Sequence, residues 1–311
     1  AMKNILRIVI GEAAKCHPTV QQLTRNGFTI FTFHDVGKSV GAFSHKHNLC
    51  TPPKLFKQQI DWIDKNFSII DPLDLTHEYN TKPGCAIITF DDGWHGIFEN
   101  ALPILAEKKI PSVIFMNMEV VKTGGLLISA IADFLGQNIP EFIEFALRNR
   151  LSEPYHLSLS PKHLSAFEKE FGKTWHADVP AHQGLFATPN QIEKWDDNPL
   201  VNYGNHLYNH WNACALTKDE FIFQFKKNEE ILKRFKNYIP VFAFPNGQPG
   251  SCFTEEHVNI LNSYGIARAL STTGTLNSSN DSFLLDRIAL TSFHKSASLM
   301  WYAISRRTLL G

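Results

Sequence analysis

Two adjacent aspartates, Asp91 and Asp92, end an apolar run in the segment IITFDDGW, residues 87–94. Like charges placed side by side repel one another away from water, so the pair needs a compensating group. The apolar run predicts a buried strand, and the carboxyl ends of strands are where α/β folds collect active-site groups. Asp-Asp-Gly is also an ordinary turn sequence, because Asp and Gly are common in turns. The pair is therefore a candidate site that needs support from the rest of the chain.

Two histidines, His206 and His210, stand four residues apart in GNHLYNHW, residues 204–211. On a helix, or where a strand turns into a helix, such a pair can approach one divalent metal ion. Together with Asp92 the histidines would provide two imidazoles and one carboxylate, which leaves coordination positions for water and substrate. The chain has 14 histidines, so a structural role for either is an open alternative.

A third segment, FAFPNGQPG at 242–250, is an apolar run followed by a Pro-Asn-Gly turn. Backbone N–H groups freed in such a rigid turn could face an oxyanion, and we place this role at Asn246. The three segments come in the order Asp-Asp-Gly, His-x-x-x-His and Phe-x-x-Pro-x-Gly, each after an apolar run. The combination is far more specific than any one member.

The elements that must position these residues alternate along the chain. Six nearly continuous apolar runs predict buried strands of a parallel sheet. Helical patterns between them indicate an α/β protein, either a barrel or a doubly wound sheet. The predicted strands are 28–34, 85–90, 111–117, 200–206, 241–247 and 267–272, and the clearest helices are 51–67, 217–235 and 254–265.

Residues 118–187 interrupt this alternation, and their patterns predict helices at 126–136 and 140–150. We interpret them as an insertion within a single domain, 1–311, that forms a lid or a substrate wall. Packing without any contact to ligand is the alternative. The last segment, 296–310, predicts an amphipathic helix that packs on the sheet or meets another subunit.

Composition narrows the function classes. The 311 residues include 30 basic and 30 acidic side chains, a balance that argues against nucleic acid or an anionic membrane surface as the partner. No apolar run reaches 18 residues, so we expect no membrane span. The five cysteines form no C-x-x-C pair, and the first residues lack an uncharged secretory core. We therefore expect a cytoplasmic protein.

The three segments together resemble the polysaccharide deacetylase family, the NodB-homology domain of carbohydrate esterase family 4. That family is marked by T-F-D-D-G, by H-[S/T]-x-x-H and by a later F-x-x-P-Y/F-G-like turn. FTFHDVG at 31–37 and LLDRIALT at 284–291 resemble its opening and closing strands, so the likeness covers roughly 28–293 apart from the insertion. The resemblance implies an α/β fold, a distorted (β/α) barrel of the NodB-like type with a helical insertion.

The resemblance also assigns roles. Asp92, His206 and His210 would hold one divalent metal ion, most simply Zn²⁺, with Co²⁺, Ni²⁺ or Mn²⁺ as alternatives. Asp91 would be the general base, and the neighbouring cation would offset the repulsion between the two aspartates. An amine leaves only when protonated, so a general acid is also required.

We expect that acid to be His34, which lies on the first predicted strand, with His294, which follows the closing strand, as the alternative. Three positions depart from the family pattern: Leu207 replaces Ser or Thr, Asn246 replaces Tyr or Phe, and Ala243 replaces Arg. The arginine that orients the aspartate must then come from elsewhere, and Arg287 is our candidate.

The predicted function is metal-dependent removal of an N-acetyl or N-formyl group from an amino sugar. We expect the substrate to be a nucleotide- or lipid-linked intermediate of surface-glycan biosynthesis. One alternative is deacetylation of a poly-N-acetylglucosamine-type polymer, which would require export. A non-catalytic glycan-binding relic has no need for a base beside a metal. A metal-dependent phosphatase would require basic side chains near these motifs to bind the phosphate, and the sequence shows no such cluster.

Overall fold

The fold is that of a computed structural model, which describes residues 2–77, 84–279 and 281–310. Parallel strands dominate its sheets. The strands are β1 (Phe28–Phe33), β2 (Asp35–Val36), β3 (Cys50–Thr51), β4 (Ser68–Ile69), β5 (Cys85–Asp92), β6 (Ser112–Met116), β7 (Val201–Asn205), β8 (Tyr238–Ala243), β9 (Arg268–Leu270), β10 (Leu284–Leu285) and β11 (Ile288–Ala289).

The main sheet runs in the order β10-β9-β8-β7-β6-β5-β1-β11, with β4 paired to the start of β5. Its first and last strands, β10 and β11, are consecutive in the chain and separated only by Asp286 and Arg287. A link this short spans at most about 11 Å, so the two edges of the sheet must come close together. The sheet is therefore curled into the distorted (β/α) barrel that the sequence predicted.

The six predicted strands correspond to β1, β5, β6, β7, β8 and β9, but β8 begins three residues before the strand predicted at 241–247 and ends four residues before its end. The difference at β5 bears on the candidate site. This strand continues through Asp91 and Asp92 instead of ending at residue 90. All of its residues are buried, because β1 and β6 pair on either side of it. The two aspartates are thus part of the sheet itself, where they pair with Phe115 and Met116 of β6.

Helices surround the sheet. They are α1 (Met2–Cys16), α2 (Pro18–Asn26), α3 (Ala42–Lys46), α4 (Pro53–Asn66), α5 (Leu102–Glu107), α6 (Met118–Thr123), α7 (Ile128–Asn138), α8 (Pro140–Arg148), α9 (Pro161–Phe171), α10 (Val179–Gln183), α11 (Pro189–Asp196), α12 (Lys218–Leu232), α13 (Glu255–Ser263) and α14 (Ala297–Leu310).

The helices predicted at 51–67, 217–235 and 254–265 correspond to α4, α12 and α13. The predicted capping box of α12 is present: Thr217 accepts from the backbone N–H of Glu220, whose side chain accepts from the N–H of Thr217. Gly265 follows α13 with a φ of 82°, a left-handed conformation that glycine adopts without strain.

The two N-terminal helices were not predicted. α1 packs along α14, and Gly11 makes this possible, because a Cβ there would lie 1.8 Å from the carbonyl oxygen of Ser298. On its other side α14 packs on α4, where Trp301 meets Trp62 edge to face at 5.4 Å. The C-terminal helix therefore packs on the barrel, and its role in association between subunits stays a prediction.

Residues 118–187 lie between β6 and β7 and contain α6 to α10, together with a 3-10 turn at Tyr155–Leu157. Many of their apolar side chains, such as Phe142 and Phe167, belong to one cluster with Phe221 and Phe242, and others, such as Val120 and Leu127, belong to the cluster that contains residues of β1 and β5. The segment therefore has no separate core. Within the described residues, no helix combines the length and hydrophobicity needed to cross a bilayer.

Candidate active site

The backbone at Asp92 explains how two neighbouring carboxylates reach one cavity. Successive side chains of a strand point to opposite faces of a sheet, so Asp91 and Asp92 would normally diverge. Asp92 has a φ of 72°, a left-handed conformation that is uncommon outside glycine, and Gly93 follows with 83°. Both aspartates line the same cavity at the carboxyl end of β5. This irregular backbone at a strand end is typical of functional sites.

The two histidines approach Asp92 through an irregular loop and not through a helix. Residues 206–210 follow β7 without helical structure, so the helical arrangement considered from the spacing is wrong. Leu207 has a φ of 64° and turns the loop back, and the two imidazole centroids lie 5.0 Å apart. The Nε2 atoms of His206 and His210 each lie 3.5 Å from Oδ1 of Asp92.

Each of these three side chains has a second partner that fixes its orientation. Trp94 Nε1 donates to Oδ2 of Asp92 at 2.9 Å, which leaves Oδ1 facing the histidines. His206 Nδ1 lies 2.7 Å from the carbonyl oxygen of Ala243, and His210 Nδ1 lies 2.7 Å from the hydroxyl of Ser129. Such outer partners set the tautomer and ring orientation of metal-binding histidines.

The three residues fit a divalent metal ion. Their ligand atoms lie within 4.8 Å of one another, and all three residues are buried. Oδ1 of Asp92 and Nε2 of His206 have no hydrogen-bond partner among the described residues, although both are buried. Unpartnered buried polar atoms are costly, so a cation between them would satisfy both. Two imidazoles and one carboxylate are a donor set suited to Zn²⁺ and similar ions.

Asp91 is held by an arginine from the opposite end of the chain. Arg287 Nη1 donates to Oδ1 of Asp91 at 2.6 Å, and Nη2 donates to Oδ2 at 2.9 Å. This two-pronged ion pair is buried, with both side chains almost fully excluded from solvent. Arg287 therefore lies where it can orient Asp91, the role proposed for it because position 243 is an alanine. It reaches Asp91 from the link between β10 and β11.

The remaining donors of Arg287 are also used. They bind oxygen atoms of the neighbouring strands and of the segment after β9, so the guanidinium is fixed on several sides. The acceptors are Thr32 Oγ1, Thr89 Oγ1, Thr272 Oγ1 and the carbonyl oxygen of Ser271. Asp91 therefore forms its ion pair with a guanidinium whose position is fixed, and not with a mobile surface side chain.

The electrostatics of the site keep both carboxylates ionised. Burial would raise the pKa of Asp91, but the charges of Arg287 and His206 and the hydrogen bonds from Arg287 outweigh it, so the pKa is lowered. Burial would also raise the pKa of Asp92, yet the neighbouring imidazoles of His210, His206 and His34 hold this pKa well below its usual range. Burial lowers the pKa of His210 to about 4, which keeps its imidazole neutral at pH 7, as metal binding requires.

A cavity of about 160 Å³, here called the first cavity, joins these residues. His34 and Asn246 line it together with Asp91, Asp92 and His210. Asn246 has a φ of 62°, and its Nδ2 is buried without a partner among the described residues. His294 is placed elsewhere: it lines a separate cavity with Trp62, and its Nδ1 accepts from the N–H of Thr291.

Three residues of the site were missed by sequence reasoning. Trp94 directly follows the Asp-Asp-Gly segment and could have been noticed there. It is fully buried and stacks on Phe186 at 4.2 Å. Ser129 and His156 come from residues 118–187, and His156 lines the first cavity. No spacing relative to the three motifs marks them, because only the folded insertion brings them to the site.

Comparison with known proteins agrees with this architecture. The family model described as polysaccharide deacetylase matches residues 78–269, more than half of the chain. The chain therefore belongs to the polysaccharide deacetylase family. A curated relative is YxkH of Bacillus subtilis, whose name assigns it to the polysaccharide deacetylases; it is 30% identical over 80 residues. That match spans 24% of this chain and 29% of YxkH.

Solved structures share the fold at low sequence identity. IcaB from Ammonifex degensii has a TM-score of 0.58 at 17% identity, covering 89% of this chain and 97% of IcaB. The deacetylase PplD of Streptococcus pyogenes has a TM-score of 0.57 at 15% identity, covering 89% of this chain and 98% of PplD. At these identities the likeness establishes the barrel and leaves the substrate to be argued from the site.

Proposed function

We propose that this protein is a metal-dependent hydrolase that removes an N-acetyl or N-formyl group from an amino sugar. The observation that supports this most strongly is the convergence of Asp92, His206 and His210 beside Asp91, which Arg287 holds in place. A binding module has no use for an ionised base next to a metal site. Membership of the polysaccharide deacetylase family supports a carbohydrate as the substrate.

The chain would bind the ion, most simply Zn²⁺, through Asp92 Oδ1, His206 Nε2 and His210 Nε2. A divalent ion bound there supplies Lewis-acid activation of the acyl carbonyl and of the attacking water. Trp94, Ala243 and Ser129 hold the three ligands in orientation through the contacts described above. The chain's own residues then manage the protons and the developing charge.

Asp91 accepts the proton of the attacking water, and Arg287 keeps this carboxylate ionised and correctly turned. The backbone N–H of Asn246 faces the developing oxyanion, with the unpartnered side-chain amide nearby. His34, which lines the same cavity, gives a proton to the leaving amine. His294 lines a different cavity, and this favours His34 as the acid.

For the substrate we propose an intermediate of surface-glycan biosynthesis that carries the N-acyl amino sugar, met in the cytoplasm. Deacetylation of a poly-N-acetylglucosamine-type polymer is the second candidate, and membership of the polysaccharide deacetylase family favours it. The residues 118–187 are proposed as a wall of the substrate site, since Leu127, Ser129 and His156 line the first cavity.

The test is amine release from N-formyl and N-acetyl amino sugars, free, oligomeric and nucleotide-linked, in the presence of a divalent metal. We expect Asp91→Asn to lower the rate by about 10²–10⁴-fold, the usual contribution of a general base, while metal content stays unchanged. Asp281→Asn, at an exposed position, is the matched control and should keep wild-type activity. Absence of release from all compounds, with metal bound, would instead support the glycan-binding relic.

A further inference from the structure

The loop that carries the two histidines of the metal site, residues 206–210, contains a backbone conformation that needs outside support. Leu207 has a φ of 64°, and a left-handed conformation is unfavourable for a bulky side chain. The same turn brings the imidazoles of His206 and His210 within reach of Asp92. A conformation of this kind persists only where the surrounding contacts over-determine it, so those contacts decide where the two imidazoles lie.

Two fully buried asparagines bind the backbone of this turn. Asn205, the last residue of β7, accepts the N–H of Leu207 through its Oδ1 at 3.0 Å. Asn117, which follows β6, donates from Nδ2 to the carbonyl oxygens of His206 and Leu207. Because both acceptors are carbonyl groups, the amide of Asn117 can face them only with its NH₂ group. The N–H and the carbonyl group of Leu207 are thereby both bound by asparagine side chains.

A third fully buried asparagine, Asn228 of α12, holds Asn205 in this orientation. Its Nδ2 donates to Oδ1 of Asn205 and to the carbonyl oxygen of Met116, both at 2.8 Å. Its Oδ1 accepts from the N–H of Met118 at 3.0 Å. Asn205 in turn donates from Nδ2 to the carbonyl oxygen of Phe225 at 3.0 Å. Asn228 therefore joins the end of β6 to the end of β7, and it reaches the histidine loop through Asn205.

The same face of α12 also contacts the loop directly. Gln224 lies four residues before Asn228, so the two side chains lie on one face of the helix. Gln224 Oε1 accepts from the N–H of Asn209 at 2.9 Å, and its carbonyl oxygen accepts from the N–H of Tyr208 at 3.1 Å. Helix α12 therefore sets the positions of residues 205, 208 and 209, which stand beside or between the two histidines in the chain.

We propose that Asn228 and Gln224 of α12 are positioning residues of the metal site. They act through Asn205 and Asn209 on the backbone of the loop, and this backbone aims both imidazoles at the candidate metal position. Without Asn228, the amide of Asn205 is held at one end only, so the N–H of Leu207 loses its fixed acceptor and the imidazoles lose their common orientation. This inference rests on the proposed function, because it concerns the same site.

The test is metal affinity, measured by competition between the protein and a chelator in Asn228→Ala and in the control Asn202→Ala. Asn202 is also buried and also donates to a backbone carbonyl group of β6, but it lies at the opposite end of β7 from the histidine loop. Loss of an outer partner weakens metal binding by about 10–100-fold, and we expect this loss in Asn228→Ala. Asn202→Ala should keep the wild-type affinity, although both variants should unfold at a lower temperature.

Gln224→Ala keeps the test decisive if Asn228→Ala fails to fold. Gln224 is only half-buried, and its truncation should weaken metal binding by about tenfold, the lower end of the same range. Lys226→Ala, exposed on the same helix, is its control. The visible absorption spectrum of the Co²⁺-loaded protein reports ligand geometry and not stability. This spectrum should change in Asn228→Ala and stay unchanged in Asn202→Ala.

Metal binding needs no turnover, so this inference and the proposed function can fail separately. Absence of amide hydrolysis with metal bound would remove the proposed function, while the comparison of affinities would still decide the inference. Wild-type affinity and an unchanged Co²⁺ spectrum in Asn228→Ala and Gln224→Ala would overturn it. An equal loss of affinity in Asn202→Ala, or a fall in kcat/KM without any change in metal affinity, would overturn it as well.

Discussion

The ion pair of Asp91 and Arg287 decides the chemistry available at the site. A carboxylate buried in a central strand would become neutral without a counter-charge, because burial disfavours the charged form. Arg287 meets both carboxylate oxygens, and its other donors are taken up by threonines and a carbonyl group. The cost of burying two charges is thereby offset, and Asp91 stays ready to accept a proton.

Replacing the arginine tests this directly. Arg287→Met removes the opposing charge, so the pKa of Asp91 rises and the acidic limb of the pH profile of kcat/KM moves to higher pH. The same variant should lose about 3–5 kcal/mol of unfolding free energy, because it leaves a buried charge without a partner. Arg287→Lys keeps the positive charge but cannot donate to both carboxylate oxygens through two parallel N–H groups. It should therefore move the acidic limb by a smaller amount. The measurements are pH profiles and urea unfolding.

Arg25→Met, at an exposed position of α2, is the control and should change neither quantity. An acidic limb that stays in place in Arg287→Met would mean that Asp91 is not the titrating base.

For individual residues, the sequence allowed the residue types of the site to be predicted but not the contacts between them. The motifs pointed to Asp91, Asp92, His206 and His210, because strand ends and spacing are visible in a sequence. The left-handed backbone of Asp92 and the indole bond from Trp94 were not predictable, since both depend on the close packing of Gly93 and Phe186 around them.

Among the elements, α7 of the insertion is tied closely to the candidate metal site. Ser129 bonds with His210, and Asn209 Oδ1 accepts from the N–H of Ile128 at 3.0 Å. Asn209 Nδ2 also donates to the carbonyl oxygen of Leu126 at 3.0 Å. The start of α7 and the loop of the metal histidines therefore form one hydrogen-bonded unit.

Ser129→Ala should weaken metal binding about 10–100-fold, the usual effect of losing an outer partner of a metal-binding histidine. The measurement is competition with a chelator, which does not require activity. Ser305→Ala, a buried serine of α14, is the matched control. Unchanged metal affinity in Ser129→Ala would show that the insertion only packs beside the site.

Acid should loosen the contacts of α7 with α3 and α10. Burial would raise the pKa of Asp133, but hydrogen bonds from His47, Lys46 and His182 hold it well below its usual range. The stability from these contacts is therefore complete above the unfolded pKa of about 4 and is lost as pH falls below it. Asp133→Asn should cost about 1–3 kcal/mol at neutral pH, and this difference from wild type should begin to shrink below about pH 4 and vanish only below the folded pKa of Asp133.

Unfolding curves measured from pH 7 down to pH 3 check this prediction. Asp61→Asn removes an exposed partner of Lys108 and should cost less than about 1 kcal/mol at any pH. A difference for Asp133→Asn that persists unchanged in acid would contradict it.

The elements themselves were largely predictable. Buried strands and amphipathic helices carry their periodicity in the sequence, as in β1 and α12. The helices α1 and α2 were missed; in α1, Ile5, Leu6 and Val9 are exposed, so its apolar residues do not mark the face that packs on α14. The conformation of the loop 206–210 could not be predicted from the spacing of its two histidines, since the same four-residue separation fits a helix and a left-handed turn at Leu207.

On the scale of the whole molecule, a metal ion should act as a stabilising ligand. An ion present at about a hundred times its Kd adds about 2.7 kcal/mol to the unfolding free energy, because it binds only the folded chain. Thermal unfolding of wild type should therefore rise by several degrees with Zn²⁺ and fall again with a chelator. Asp92→Ala should show neither change. A melting temperature that is insensitive to metal in wild type would contradict the assignment of the three ligands.

The curled sheet was expected through a family resemblance and not from hydrophobic patterns, which allowed a doubly wound sheet equally well. The distinction depends on the link of Asp286 and Arg287 between β10 and β11, and no local pattern reports which strands lie at the two edges of a sheet.

That link also sets the order in which the site can be completed during protein synthesis. A ribosome makes the chain from its N-terminus, so Asp91, Asp92 and both histidines emerge before the arginine at position 287. Until then the buried aspartate has no opposing guanidinium, and the eleventh strand has not yet reached the first. The proposed hydrolysis can therefore begin only after residue 287 and the strand that follows it have been translated.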